Sequence, residues 1–293
     1  MKGGVPAALL AYGLWGLMPL YFRHMAPASA LEVVAHRVVW SLVLLAIVLG
    51  ARRQLGALYR RLNAPLLARF ALAALLVSIN WITYVWAVTH GRALDASLGY
   101  FLLPLVNVAL GVLVLGERLN RPEWIGVALA AAGVVWLGWA SPRFPWVALV
   151  LAFSFGLYGL IKKRTTLQPA EGMALETALI ALPALAVLIW LGGRSELAFA
   201  HQSRGLDVLL ISTGLMTTVP LVAFAYAAQR LSLAALGMLQ YISPSLQFVL
   251  GVYVLHEPMD ARRLAGFVIV WAGLAVFSLA ALAKRRGAAH QAR

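Results

Sequence analysis

The chain has 293 residues, 62% of them apolar and 12% charged, with a mean hydropathy of +0.86. Soluble domains carry about 25% charged residues, so this composition excludes an ordinary soluble domain and places most of the mass in a bilayer. A formal charge of +14 would suggest nucleic acid in a soluble protein, but basic residues gather in the cytoplasmic loops of membrane proteins, and the lack of cysteine excludes disulfides, thiol catalysis and Cys-bound metal.

An apolar run of about 20 residues crosses the hydrocarbon core as a helix. Ten such runs follow in order: 5–24, 30–50, 66–89, 95–115, 122–140, 144–161, 173–192, 206–228, 234–255 and 261–283. The first is expected to be a span rather than a signal peptide. It is longer than a normal h-region, and Arg23 and His24 interrupt the approach to Ala28-Ser29-Ala30. With the N-terminus inside, 16 Lys and Arg residues fall in inner segments and 7 in outer ones, Arg37 lying within a span. Both termini are therefore expected in the cytoplasm.

Ser97–Glu117, SLGYFLLPLVNVALGVLVLGE, occurs a second time. At a shift of 140 it falls on Gly237–Glu257, GMLQYISPSLQFVLGVYVLHE, with Pro104 on Pro244, Gly111 on Gly251 and Glu117 on Glu257. Gly126 and Gly133 fall on Gly266 and Gly273, and Gly16 on Gly156; Glu32 reaches Glu176 at a shift of 144. Shared apolar composition would match Leu with Val but would not keep Pro, Gly and Glu in step. The expectation is two copies, 1–141 and 142–293, of five spans each. An odd number inverts the second copy in the membrane, which is an architecture of transporters.

The polar residues inside spans are the candidate site. Glu32, His36 and Arg37 stand within six residues of span 2; ionisable groups there usually face a bundle interior or a water-filled path. Glu176 is the twin of Glu32, with no charged partner near it in sequence. In span 3, Asn80 and Tyr84 share a face with Trp81 beside them. In spans 4 and 9, Tyr100 and Asn107 have Gln240 and Gln247 as twins. Trp15 adds an aromatic wall from span 1. Pro104, Pro244 and Pro220 interrupt backbone hydrogen bonding and are candidate hinges. Glu117 and Glu257 close spans 4 and 9 and are expected to form structural ion pairs, Glu117 with Arg118 and Arg121 and Glu257 with Arg262 and Arg263. No H-E-x-x-H, G-x-S-x-G, P-loop or acidic metal cluster is present, so neither catalysis nor a cofactor is expected.

The segments HRVVWS (36–41), NWITYVWAV (80–88), ASLGYFLLPLVNVALGVLVLGERL (96–119) and TTVPLVAFAYAAQRL (217–231) resemble the RarD-type branch of the EamA transporters, in the drug/metabolite transporter superfamily. The resemblance covers nearly the whole chain. It implies a multi-pass permease of the bacterial inner membrane, exporting amino acids, related metabolites or drug-like molecules. Together the residues and the resemblance lead to an all-α carrier working by alternating access, secondary-active or facilitative. Trp15, Asn80, Trp81, Tyr84, Tyr100, Asn107, Gln240 and Gln247 would line its cavity. Glu32, His36, Arg37 and Glu176 would serve as a charged relay or hold the charged ends of a substrate. The expected partners are a small-molecule substrate and the lipid bilayer, with no nucleic acid, in a monomer or homodimer. The alternatives are a membrane scaffold or an enzyme acting on a lipid precursor.

Overall fold

The computed structural model describes residues 3–25, 27–90, 92–139, 145–254 and 261–291. All regular structure among them is helical: α1 (Gly4–Phe22), α2 (Ala30–Ala51), α3 (Leu55–Arg61), α4 (Ala64–Thr89), α5 (Ala93–Leu115), α6 (Arg121–Gly138), α7 (Trp146–Arg164), α8 (Pro169–Gly193), α9 (Arg204–Ala228), α10 (Leu233–Gln240), α11 (Ile242–Tyr253) and α12 (Ala261–Gln291). Long apolar sequences become helices in a bilayer because every backbone N–H and C=O must be satisfied within the chain. Nine helical segments among the described residues are long and apolar enough to span, α10 and α11 counting as one. The remaining candidate is α6, an 18-residue helix whose first turn begins Arg-Pro-Glu. Its polar start is neutralised in place: Asn120 and Glu123 form a capping box, and Lys284 of α12 lies 3.3 Å from Glu123. The outer surface is apolar, with Leu113, Leu182 and Ile189 each more than three-quarters exposed. In water such a belt would be an aggregation site; in lipid it is the matching surface.

Small residues set the helix contacts, as expected where lipid removes the hydrophobic drive for association. A Cβ on Gly126 would stand 2.8 Å from the Gly273 carbonyl, and one on Gly273 would stand 2.6 Å from that of Gly126. Gly133 meets Val270 and the Gly266 carbonyl in the same way. Thus α6 and α12, twins in the sequence, pack on each other through their twinned glycines. Further contacts between the copies come in matching pairs. Gly16 of α1 seats Leu246 of α11, and Gly156 of α7 seats Val106 of α5, each residue lying 140 positions from its counterpart.

Two segments differ from the sequence-based expectation. The connection 51–65 contains a helix, α3, which buries Leu58 and exposes Tyr59. The ninth run is not continuous: it breaks at Tyr241 between α10 and α11. Pro244 has no N–H to give to the Gln240 carbonyl, and the Tyr241 hydroxyl donates to the carbonyl of its own twin, Phe101, at 3.2 Å. Pro104 sits in the corresponding place of α5, which continues unbroken. Pro220 likewise lies inside a continuous α9.

Candidate functional site

The two ends of the bundle are packed differently. At the end that holds Gly4 and Arg164, Tyr12, Phe70, Tyr158, Phe224, Leu233 and Leu236 are fully or almost fully buried in one core. Trp15 borders this core, with ring centroids 5.6–5.8 Å from Tyr12, Phe155 and Phe224. Toward the other end, Phe22, Arg37, Trp81 and Tyr100 are only partly buried, and Tyr84 is 41% exposed. These side chains, from α1, α2, α4 and α5, keep accessible surface on the same side of the bundle, and we read the space between them as a recess.

Arg37 is the centre of that recess. Its Nε donates to Thr217 Oγ1 of α9 at 2.9 Å. Its guanidinium carbon lies 4.6 Å from the Trp81 ring centroid and 5.7 Å from that of Phe22, a cation–π geometry. Tyr84 and Tyr100 meet edge to face at 5.9 Å, and both hydroxyls, with that of Tyr21, lie within electrostatic range of the guanidinium. The backbone is fixed close by. Gly214 lets α9 approach Trp40 so closely that a Cβ there would lie 2.5 Å from its carbonyl carbon, and Ser41 Oγ donates to the Gly214 carbonyl at 3.2 Å.

Glu32 and His36, on the same helix, face elsewhere. The Glu32 carboxylate accepts from the amides of Ala198 and Phe199 at 2.9–3.1 Å and so pins the segment between α8 and α9. His36 Nδ1 accepts from Trp40 Nε1 at 3.1 Å, which places the ring proton on Nε2, 3.8 Å from Glu32 Oε1. The ring packs on Phe199. Neither side chain joins the recess around Arg37.

The amides expected to line the cavity are spent between helices in this conformation. Asn80 Nδ2 donates to the Leu151 carbonyl and to Ser154 Oγ, tying α4 to α7. Asn107, fully buried, donates to Gln240 Oε1 at 3.1 Å, tying α5 to α10. Gln247 donates to the Trp15 carbonyl at 3.2 Å. Of the eight expected lining residues, Trp81, Tyr84 and Tyr100 are the ones brought together around a charge.

Two ionic expectations need correction. Glu176 does have a charged partner: Lys162, the fourteenth residue before it, donates to its Oε1, and Tyr158 donates to its Oε2 at 3.2 Å. Both charged groups are nearly fully buried, and Lys162 also lies over the Phe70 and Tyr158 rings. Lys162 is one of the 16 inner basic residues and stands beside Lys163 and Arg164; the signal that could have found the pair is Tyr158, one helical turn before it and on the same face. Glu117 does not pair with Arg118 or Arg121. It accepts the Leu233 and Ala234 amides at 2.6 and 2.9 Å and caps α10. Its twin Glu257 lies outside the described residues.

A separate cavity of about 560 Å³ opens among Arg60, Arg61, Asn63, Arg69 and Leu167 at the packed end of the bundle, and it contains none of the candidate residues. Among the described residues no group of three His, Asp or Glu side chains could hold a metal ion.

Comparison with known proteins agrees with this architecture. A model of the EamA-like transporter family matches the chain twice, over residues 2–139 and 145–279. The chain is 47% identical to Protein RarD of Streptomyces exfoliatus over 277 residues, covering 94% of this chain and 88% of that one. It is 43% identical to the uncharacterized transporter YojE of Bacillus subtilis over 290 residues, covering 97% and 96%. A crystal structure of a protein at 19% identity superposes with a TM-score of 0.75 over 94% of this chain and 97% of its own, a likeness of fold. Two matches of one family model, full-length relatives and a bundle whose twinned glycines pack on one another converge on a single assignment: this chain is a multi-pass membrane protein of the EamA-like transporter family, in its RarD-type branch.

Proposed function

We propose that the protein is an alternating-access carrier exporting small amphipathic solutes, amino acids or related compounds and drug-like molecules among them, across the bacterial inner membrane. Ten spans form two inverted copies, 1–141 and 142–293, with α6 as the fifth span and α10 with α11 as the ninth. Both termini lie in the cytoplasm, and the working unit is a monomer or a homodimer. The observation that carries the reading is the difference between the ends of the bundle: a closed core around Phe224 at one, and a recess around Arg37 at the other. A carrier with a central site needs one end shut while the other is open. The break at Tyr241, with Pro104 opposite it, supplies the joint at which the copies can rock. Asn107 and Gln240 meet at that joint, so in the opposite conformation they exchange each other for solute.

The chain has no cysteine, which makes a labelling test direct. Single Tyr84→Cys and Phe224→Cys variants, each in right-side-out vesicles, are treated with a membrane-impermeant maleimide. Tyr84→Cys should react and Phe224→Cys should not, and a transported solute should slow the first reaction. The scaffold reading gains if both rates ignore every solute while uptake is absent.

A further inference from the structure

We infer that the recess around Arg37 is the subsite for the carboxylate of an amphipathic organic anion, an inference that rests on the carrier reading and narrows its substrate class. Arg37 lies seven residues inside α2, about 10 Å along the helix from its nearer end. A guanidinium at that depth is costly without a counter-charge. No carboxylate among the described side chains pairs with it. Three acids of this end whose side chains are described are engaged elsewhere: Glu32 with the Ala198 and Phe199 amides, Asp207 with the Ala200 amide, and Glu196 with Arg194. Lys162, the buried cation at the other end, is by contrast already neutralised by Glu176. Among the described side chains, Arg37 is thus a cation deep in a span with no carboxylate partner, at the less tightly packed end of the bundle.

The direction of its free donors follows from what holds it. Thr217 takes the Nε–H, and the Trp81 and Phe22 rings lie 4.6 and 5.7 Å from the guanidinium carbon. The two terminal amino groups have no acceptor among the described residues, and neither do the Tyr84 and Tyr100 hydroxyls. A guanidinium edge donates two parallel hydrogen bonds to a carboxylate, and phenol hydroxyls can add to its remaining lone pairs. The surrounding rings of Trp81, Phe22, Tyr84 and Tyr100 suit an apolar or aromatic body. An ammonium group meets Arg37 as a like charge, and the described acids of this end are already engaged. The recess therefore ranks a simple anion above a zwitterion, and a zwitterion above a cation.

The test uses the full-length protein in nanodiscs and three probes that share one body: 4-phenylbutyrate, its amide and 4-phenylbutylamine. Binding is read by calorimetry, and folding by thermal unfolding. The acid should bind about tenfold or more tighter than the amide, with the amine weakest. Arg37→Gln should bring the acid and amide to equal affinity, Arg37→Lys should retain part of the preference, and Thr217→Val, which frees the Nε–H, should reduce it. A purely structural Arg37 would change folding without changing the acid-to-amide ratio. Equal affinities in the unaltered protein, a preference that survives Arg37→Gln, or no binding by any probe at about 10 mM overturns the proposal. Counterflow in proteoliposomes separates it from the carrier reading. Arg37-dependent binding of the acid without its movement keeps the anion subsite and removes the carrier; movement of the amide or amine but not the acid keeps the carrier and removes the anion subsite.

Discussion

Two cations lie inside this bundle, and the helices around them differ in one respect. Lys162 is 1% exposed, has Glu176 and Tyr158 as partners, and sits where every neighbour is packed. Arg37 is partly buried, has one hydroxyl and two ring faces, and borders a recess. The twin of Lys162 in the first copy is Phe22, and the twin of Arg37 at the shift of 144 is Ala181. Duplication preserved the glycines that set helix contacts and did not preserve the charges. Packing must be equal in both copies for them to fit together, whereas a site between the copies can be lopsided. A paired buried charge holds a structure; an unpaired one beside open space is available to a ligand.

The largest expected effect follows from breaking the paired cation. Lys162→Met leaves Glu176 charged and alone, at a cost of about 3–5 kcal/mol, and Lys162→Met with Glu176→Gln should recover most of it. Chemical unfolding in detergent measures both. Arg37→Gln should change stability by under about 1 kcal/mol, because no buried partner is stranded. A large loss there, with Lys162→Met mild, would invert the comparison.

The next effect concerns the contact the copies share. Gly126→Leu should cost about 1–3 kcal/mol, since the added side chain meets the Gly273 carbonyl and Phe277. Gly13, with no atom within 4 Å of a built Cβ, is the control position for Leu.

Somewhat smaller losses are expected where a carboxylate serves backbone amides. Glu117→Gln weakens the cap on α10 by about 1–2 kcal/mol. Glu32→Gln weakens the hold on Ala198 and Phe199 similarly. The same variant tests the relay assigned to Glu32 and His36: pH-driven accumulation should disappear while solute binding stays. Accumulation at the unaltered rate would leave Glu32 with its structural task alone. The smallest effect is that of Tyr241→Phe, which removes one hydrogen bond to Phe101, worth about 0.5–1.5 kcal/mol, and should show mainly in the rate of movement between conformations.

Much of the fold was legible because the bilayer reduces the choices. Runs of apolar residues have to become helices, and Pro and Gly in step at a fixed shift require two related units. The site was legible only in its outline. Trp81, Tyr84 and Tyr100 were found because aromatic and hydroxyl groups stand together deep in spans. Asn80, Asn107 and Gln240 were found by the same logic, but an amide in a membrane can bond to a helix as readily as to a solute. Lys162 was missed because a lysine beside Lys163 and Arg164 reads as the end of a span.

The sequence by itself determined the membrane class, the helical spans, the duplication and the residue types inside the spans. These follow from composition and periodicity, which depend on local backbone chemistry and on the thickness of the bilayer. Only the tertiary structure decided which charges are paired, where the ninth span breaks, and which end of the bundle is more tightly packed. Those depend on contacts between residues as far apart as Glu117 and Leu233, or Arg37 and Thr217. No local pattern encodes such distances; the packing of one copy against the other sets them.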